Sequence, residues 1–182
     1  MKLSDIESKD QKSNQPKTLN GIVYHDILDV LKEEDITTDV LVNTAMELYT
    51  PHPGIEKREM AEKIFKKELD IALSDPNLCI LLYSGILLER AGRNGTIPNI
   101  STDSYTKDLT FLIADEVIGM SIANYISGDK GIFEFVRFDK QKPGILAHLG
   151  PFMDDLISGL IGGVSANMYS RSVADSINSI DK

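Results

Sequence analysis

Two acidic pairs stand out in this 182-residue chain because of what surrounds them: Asp115 and Glu116 in "LIADEVIGM", and Asp154 and Asp155 in "PFMDDLISG". Both sit among Leu, Ile, Val and Met, so they point into protein rather than along a solvated face. Two unit charges about 4 Å apart repel by roughly 4 kcal/mol at an effective dielectric of 20. A whole domain is held by only about 5–15 kcal/mol. Carboxylates gathered in this way need protons or a bound cation. Oxygen ligands with no organised His or Cys select a hard ion, Mg²⁺ first, then Mn²⁺ or Ca²⁺.

The glycines behind each pair suggest how the pairs meet. Gly119 follows Asp115 by four residues, and Gly159 follows Asp155 by four, which places each on the same helical face as its acid. The second stripe continues through Gly163, Ala166 or Asn167, and Ser170. Small residues at this spacing let two backbones approach closely, so the two helices are expected to oppose one another. Two competing readings stay open: Asp154 and Asp155 as a helix cap favouring a positive N-terminus, and the glycine stripe packing on a second subunit in a homodimer.

Between the pairs, "FVRFDKQKPG" supplies Arg137, Asp139, Lys140 and Lys142 ahead of a stiffening proline. This reads as an anion-binding loop or as a solvated run of charges. His25, His52 and His148 lack metal-ligand spacing; only His52, between Pro51 and Pro53, is a candidate site residue. Cys79 lies in an apolar run and reads as a buried thiol.

The elements that must position these groups are helical nearly throughout. Tyr24, Ile27, Leu28 and Leu31 mark one helical face, and Leu41, Ala45 and Leu48 mark the next after Thr37 and Thr38. After the break at "TPHPG", a charged helix runs from about Ile55 to Leu73. "SDPN" then caps a helix over Pro76 to Ala91, apolar on almost every side and expected to be central. Further helices are expected over Tyr105–Ile126 and Pro151–Arg171, with no strand. The fold class is therefore all-α, a buried apolar central helix surrounded by about five or six others. Residues 1–20 read as a disordered tail and residues 21–182 as one domain.

A net charge of −9 disfavours nucleic acid, and no apolar run is long enough for stable membrane insertion. The first residues lack the apolar core of a signal peptide, so a cytoplasmic protein is expected.

In order, "ADEVIGM", "FDKQKPG" and "MDDLISG" resemble the phosphatidylglycerophosphatase A superfamily, with a dense match from about Leu112 to Arg171. The first half resembles its soluble all-helical branch, which includes archaeal α-ribazole-phosphate phosphatases of cobamide (vitamin B12) synthesis. The Gly/Thr-rich motif and hydrophobic spans of the membrane-bound lipid phosphatases are missing. The resemblance implies a Mg²⁺-dependent phosphomonoesterase acting on a small soluble phosphate monoester. Asp115, Glu116, Asp154 and Asp155 match the acidic pairs, and Asp139 and Lys142 match the loop. Lys142, with Arg137, would offset phosphoryl charge, and His52 would serve as leaving-group acid. Asp139 would either orient Lys142 or join the metal shell. The alternatives are a phosphatidylglycerophosphate phosphatase and a non-catalytic metal- or ligand-binding protein.

Overall fold

Side-chain caps start four of the described helices, and two of these starts, Thr38 and Pro76, fall where the sequence predicts. The computed structural model describes residues 17–19, 22–107 and 112–180. A hairpin of β1 (Lys17–Leu19) and β2 (Ile22–Tyr24) leads into α1 (Ile27–Glu33), α2 (Thr38–Glu47), α3 (Arg58–Leu73), α4 (Pro76–Arg93) and α5 (Thr102–Thr106). Then come α6 (Ala114–Gln141), a 3-10 turn at Gly144–His148, and α7 (Pro151–Ile180). Asp26, Thr37, Asp75 and Ser101 each accept a backbone N–H of the first turn that follows, satisfying amides the helix leaves without partners.

The helical bundle agrees with expectation; the hairpin, pairing Lys17 with Tyr24, is a small addition to it. Of the tail expected over residues 1–20, residues 1–16 and 20 lie outside the described residues.

The central helix is α7, not α4. From Phe152 to Ala166 almost every residue of α7 is buried, whereas Ile80, Tyr83 and Leu87 of α4 are exposed. Residue size explains the difference. Ser158, Gly159, Gly162, Gly163 and Ser165 let neighbours close on α7 from several sides, and α4 carries bulk on the side where nothing covers it.

The segment after Ile126 also differs from the loop expected around Arg137 to Lys142, because α6 turns back on itself. At Gly128 the backbone takes φ 60° and ψ −148°, a conformation reserved for glycine. The reversal creates two arms, residues 114–126 and 129–141, close enough that a side chain on Gly131 would strike the Ala123 carbonyl. α7 lies in the fork. A Cβ on Gly119 would stand 2.5 Å from the Asp155 carbonyl, and one on Gly162 would stand 2.6 Å from the Phe135 amide. Gly159 abuts Gly119, and Gly163 abuts Ile126. The glycine stripe is therefore used within the chain, not against a second subunit. Among the described residues, no single helix is long and apolar enough to cross a membrane.

Candidate active site

The first arm of α6 runs parallel to α7, as Gly119–Gly159 and Ile126–Gly163 contacts require, and the second arm runs antiparallel. One end of the bundle thus collects two helix N-termini and one helix C-terminus. Asp115 and Glu116 lie in the first turn of α6, which begins at Ala114 and not at Tyr105, so the pair is not mid-helix. Asp154 lies in the first turn of α7, its amide donating to the Gly150 carbonyl at 2.9 Å. Neither aspartate of that pair is the cap. The positive ends of both helices favour the negative charge placed there.

The structure brings five carboxylates together. Oxygens of Asp115, Glu116 and Asp155 lie within 4.8 Å of one another, and so do oxygens of Asp139, Asp154 and Asp155. Asp155 belongs to both groups. Asp115 and Asp155 are almost completely buried. Burial, followed by the neighbouring Glu116 side chain, pushes the Asp115 carboxyl up to about 8. Burial, followed by the charge of Asp154, pushes Asp155 up to about 9. Oδ1 of Asp155 and Oε2 of Glu116 are buried without a hydrogen-bond partner. An acceptor with no donor in protein costs about 1–3 kcal/mol or more when charged. The donor set fits a hard cation: oxygens only, in two adjacent groups, with lone pairs left over.

Lys142 closes the site. The motif that reads as a loop is the last turn of α6, ended by Lys142 in a left-handed conformation at φ 44° and ψ 52°. Its amide donates to the Phe138 carbonyl at 2.8 Å, and its ammonium contacts Asp154 at 2.6 Å and Asp139 at 3.0 Å. Left-handed backbone is unfavourable for a residue with a Cβ; here two charged contacts hold the side chain. Burial opposes the charge on Lys142, but Asp154 and Asp139 outweigh it and hold the ammonium above its ordinary range. Burial raises Asp154 as well, with Lys142 pulling the other way. Asp139 contacts Lys142 and belongs to an acidic group that could hold a cation.

Two expected site residues are elsewhere. Arg137 turns away from the acids: it donates to both oxygens of Glu134, at 2.9 and 2.6 Å, and to the Leu48 carbonyl at 2.9 Å. His52 packs against Tyr169, with ring centroids 5.8 Å apart, and lines an open cavity of about 400 Å³. Tyr169 and Asp155 stand fourteen residues apart on α7, about 21 Å at 1.5 Å per residue. None of the His52 contacts is with the five carboxylates.

Sequence reasoning missed Glu89. Buried on α4, it accepts from the Phe152 and Met153 amides at 3.2 and 3.3 Å and from the Tyr105 hydroxyl at 2.6 Å. It caps α7 from another helix, immediately before the aspartate pair. The available signal is a single carboxylate in the otherwise apolar run "ILLYSGILLER".

Comparison with known proteins gives the family of the chain. The family model described as Phosphatidylglycerophosphatase A matches residues 41–170, which include all five carboxylates and Lys142. The uncharacterized protein MJ1330 of Methanocaldococcus jannaschii is 36% identical over 132 residues, covering 70% of this chain and 99% of that protein. The uncharacterized protein YutG of Bacillus subtilis is 26% identical over 145 residues, covering 65% of this chain and 85% of that protein. Among solved structures, the low temperature requirement C protein from Listeria monocytogenes superposes with a TM-score of 0.68 at 21% identity, over 80% of this chain and 94% of that one. Protein ypjQ from Bacillus subtilis gives 0.69 at 18% identity, over 82% and 93%. These two likenesses concern the fold alone. With the acidic pairs, the lysine cap and the helical fork all inside the matched region, the chain belongs to the phosphatidylglycerophosphatase A family, a family of phosphoric monoester hydrolases.

Proposed function

We propose that this protein is a Mg²⁺-dependent phosphomonoesterase acting on a soluble phosphate monoester, with α-ribazole 5′-phosphate the preferred substrate. The observation that carries the reading is Asp155, whose buried Oδ1 has no partner and which belongs to both acidic groups. Asp115, Glu116 and Asp155 would hold one ion, and Asp139, Asp154 and Asp155 a second. Bound there, Mg²⁺ would supply Lewis acidity toward phosphoryl oxygens and lower the pKa of a bound water.

The chain's own groups do the rest. Lys142 is the cation in contact with the acidic groups, and it offsets charge that builds on the phosphoryl group. Asp139 holds that ammonium in place. The N-termini of α6 and α7 add oriented amide dipoles at the same end of the bundle. Glu89 fixes the first turn of α7 and so the direction of Asp154 and Asp155. Arg137 and His52 take no part.

Preference for a soluble substrate rests on the resemblance to the soluble branch of the family and on the lack, among the described residues, of a single helix able to span a bilayer. The family's own description favours phosphatidylglycerophosphate as the second reading. Phosphate release from both substrates and from a generic aryl phosphate, with Mg²⁺ and with a chelator, decides among them. Metal-dependent release, fastest with α-ribazole 5′-phosphate, is expected. Faster turnover of phosphatidylglycerophosphate would replace the substrate, and no release from any ester would leave a metal-binding protein without this activity.

A further inference from the structure

The outward face of α4 and the first arm of α6 gathers six of the nine large apolar residues that are exposed among the described residues. The two helices run antiparallel and side by side: the Tyr125 hydroxyl donates to Asp75 at 2.7 Å at one end, and Leu88 and Ile118 share a cluster with Phe152 toward the other. Ile80, Tyr83 and Leu87 of α4 are exposed, as are Ile113, Val117 and Tyr125 at and along the arm; each shows between 43% and 66% of its surface.

Two further properties define the face. Every exposed position in residues 76–88 and 113–125 is uncharged, although the chain is 26% charged. The polar members are Asn77, Ser84, Ser121 and Asn124, all short and neutral. With side chains of about 150–200 Å² each, the six apolar residues expose on the order of 500 Å², beyond scattered surface apolarity and close to one partner's share of a standard interface once the neutral polar residues are added.

We infer that this face is the contact between two copies of the chain, α4 and the first arm of α6 of one meeting the same pair of the other about a two-fold axis. Charge selects the occupant. Each copy carries a net charge of −9, so two copies repel wherever charged faces approach, and a neutral apolar face is where they close. An anionic membrane fits poorly, because such surfaces recruit clusters of Lys and Arg and this face has none. An antiparallel helix pair is self-complementary under two-fold rotation, the commonest symmetry of homo-oligomers.

Sedimentation equilibrium of the full chain tests the inference. A dimer is expected at tens of micromolar protein. Tyr83→Glu with Leu87→Glu would place like charges on both sides of the contact and should weaken association by at least about 100-fold. Helical circular dichroism and phosphatase activity should be unchanged, since neither residue touches the carboxylates. Phe133→Glu, on the other arm, should leave the dimer intact. A monomeric wild type, or a dimer that survives the double substitution, would overturn the inference. So would a monomer that floats with phosphatidylglycerol vesicles and loses that binding in the double variant, assigning the face to a membrane.

Discussion

The two ends of α7 have the same neighbours and opposite character. At its start, Asp154 and Asp155 are packed against two arms of α6, with Gly119 and Gly159 in contact and an acidic oxygen left unpartnered. Beyond its midpoint, Ala166, Tyr169 and Ser170 line a cavity open to solvent, where His52 and Lys130 meet ordinary partners. Concavity alone would choose the second end. The cost of burying unpaired charge chooses the first, since an apolar core would be cheaper than a cluster of carboxylates unless something binds them.

The largest effect that separates the ends is on catalysis. Asp155→Asn should lower Mg²⁺-dependent phosphate release by at least about 100-fold, because it removes the one carboxylate common to both groups. Calorimetric titration with Mg²⁺ should lose its heat in the same variant. Full activity in Asp155→Asn would place the chemistry elsewhere, with the cavity near Tyr169 the next place to look.

Stability sharpens the same contrast. Gly159→Leu forces a side chain into the Gly119 backbone and should destabilise the fold by about 3 kcal/mol, the upper end for overpacking because a backbone cannot rotate away. Ser170→Ala, which removes only a hydrogen bond from Lys130 at the open end, should stay within about 0.5 kcal/mol. Urea unfolding of the two variants measures the difference.

The contrast explains what the sequence could reveal. Asp115, Glu116, Asp154 and Asp155 were legible because charges set in apolar runs are costly, and Gly119 and Gly159 were legible because helical spacing projects them onto the same faces as the acids. The reversal at Gly128 was not, since a glycine between Ser127 and Asp129 reads equally well as a tolerated helix residue. Missing that reversal turned the second arm into a loop and so left Arg137 grouped with Lys142, although helical geometry sends them in different directions. The centrality assigned to α4 failed for a related reason. Apolar residues all round a helix do not say which of its sides is covered, and on α4 the side with Ile80, Tyr83 and Leu87 is left exposed. Glu89 escaped because its partners are amides on α7, and no residue type in the sequence marks an amide as free.

Proton uptake gives a smaller, pH-dependent signature. The Asp155 carboxyl is pushed up to about 9 and Asp115 to about 8 in the metal-free fold, burial being the first cause of both. In the unfolded chain both return to about 3.9. Between those limits the folded state holds more protons, so stability is complete at low pH and falls as pH rises through the window. Between pH 6 and 8 the metal-free protein should lose stability, because the unfolded chain has both carboxylates ionised there while the folded chain still holds their protons. Asp155→Asn should flatten that slope, and saturating Mg²⁺ should oppose the loss because the cation binds the ionised carboxylates. A stability profile rising with pH in the metal-free protein would contradict the buried, unpaired geometry.

The smallest effect is expected at His52. Its ring leans on Tyr169, and the hydroxyl of that tyrosine accepts the Thr50 amide at 3.0 Å, so His52→Ala should loosen the "TPHPG" turn slightly. Fourteen residues of α7 separate Tyr169 from Asp155, and a leaving-group acid works only within about 3 Å of the oxygen it protonates or through one intervening water. The substitution should therefore change kcat by less than about 2-fold, with no change in the acidic or basic limb of the pH profile. A leaving-group acid would show the opposite: a large fall in kcat for alkyl esters, a much smaller fall for aryl esters whose leaving groups need no proton, and loss of one limb. Measuring both ester classes across pH separates a histidine that steadies a turn from one that supplies a proton. The second outcome would require the two ends of α7 to act on one substrate.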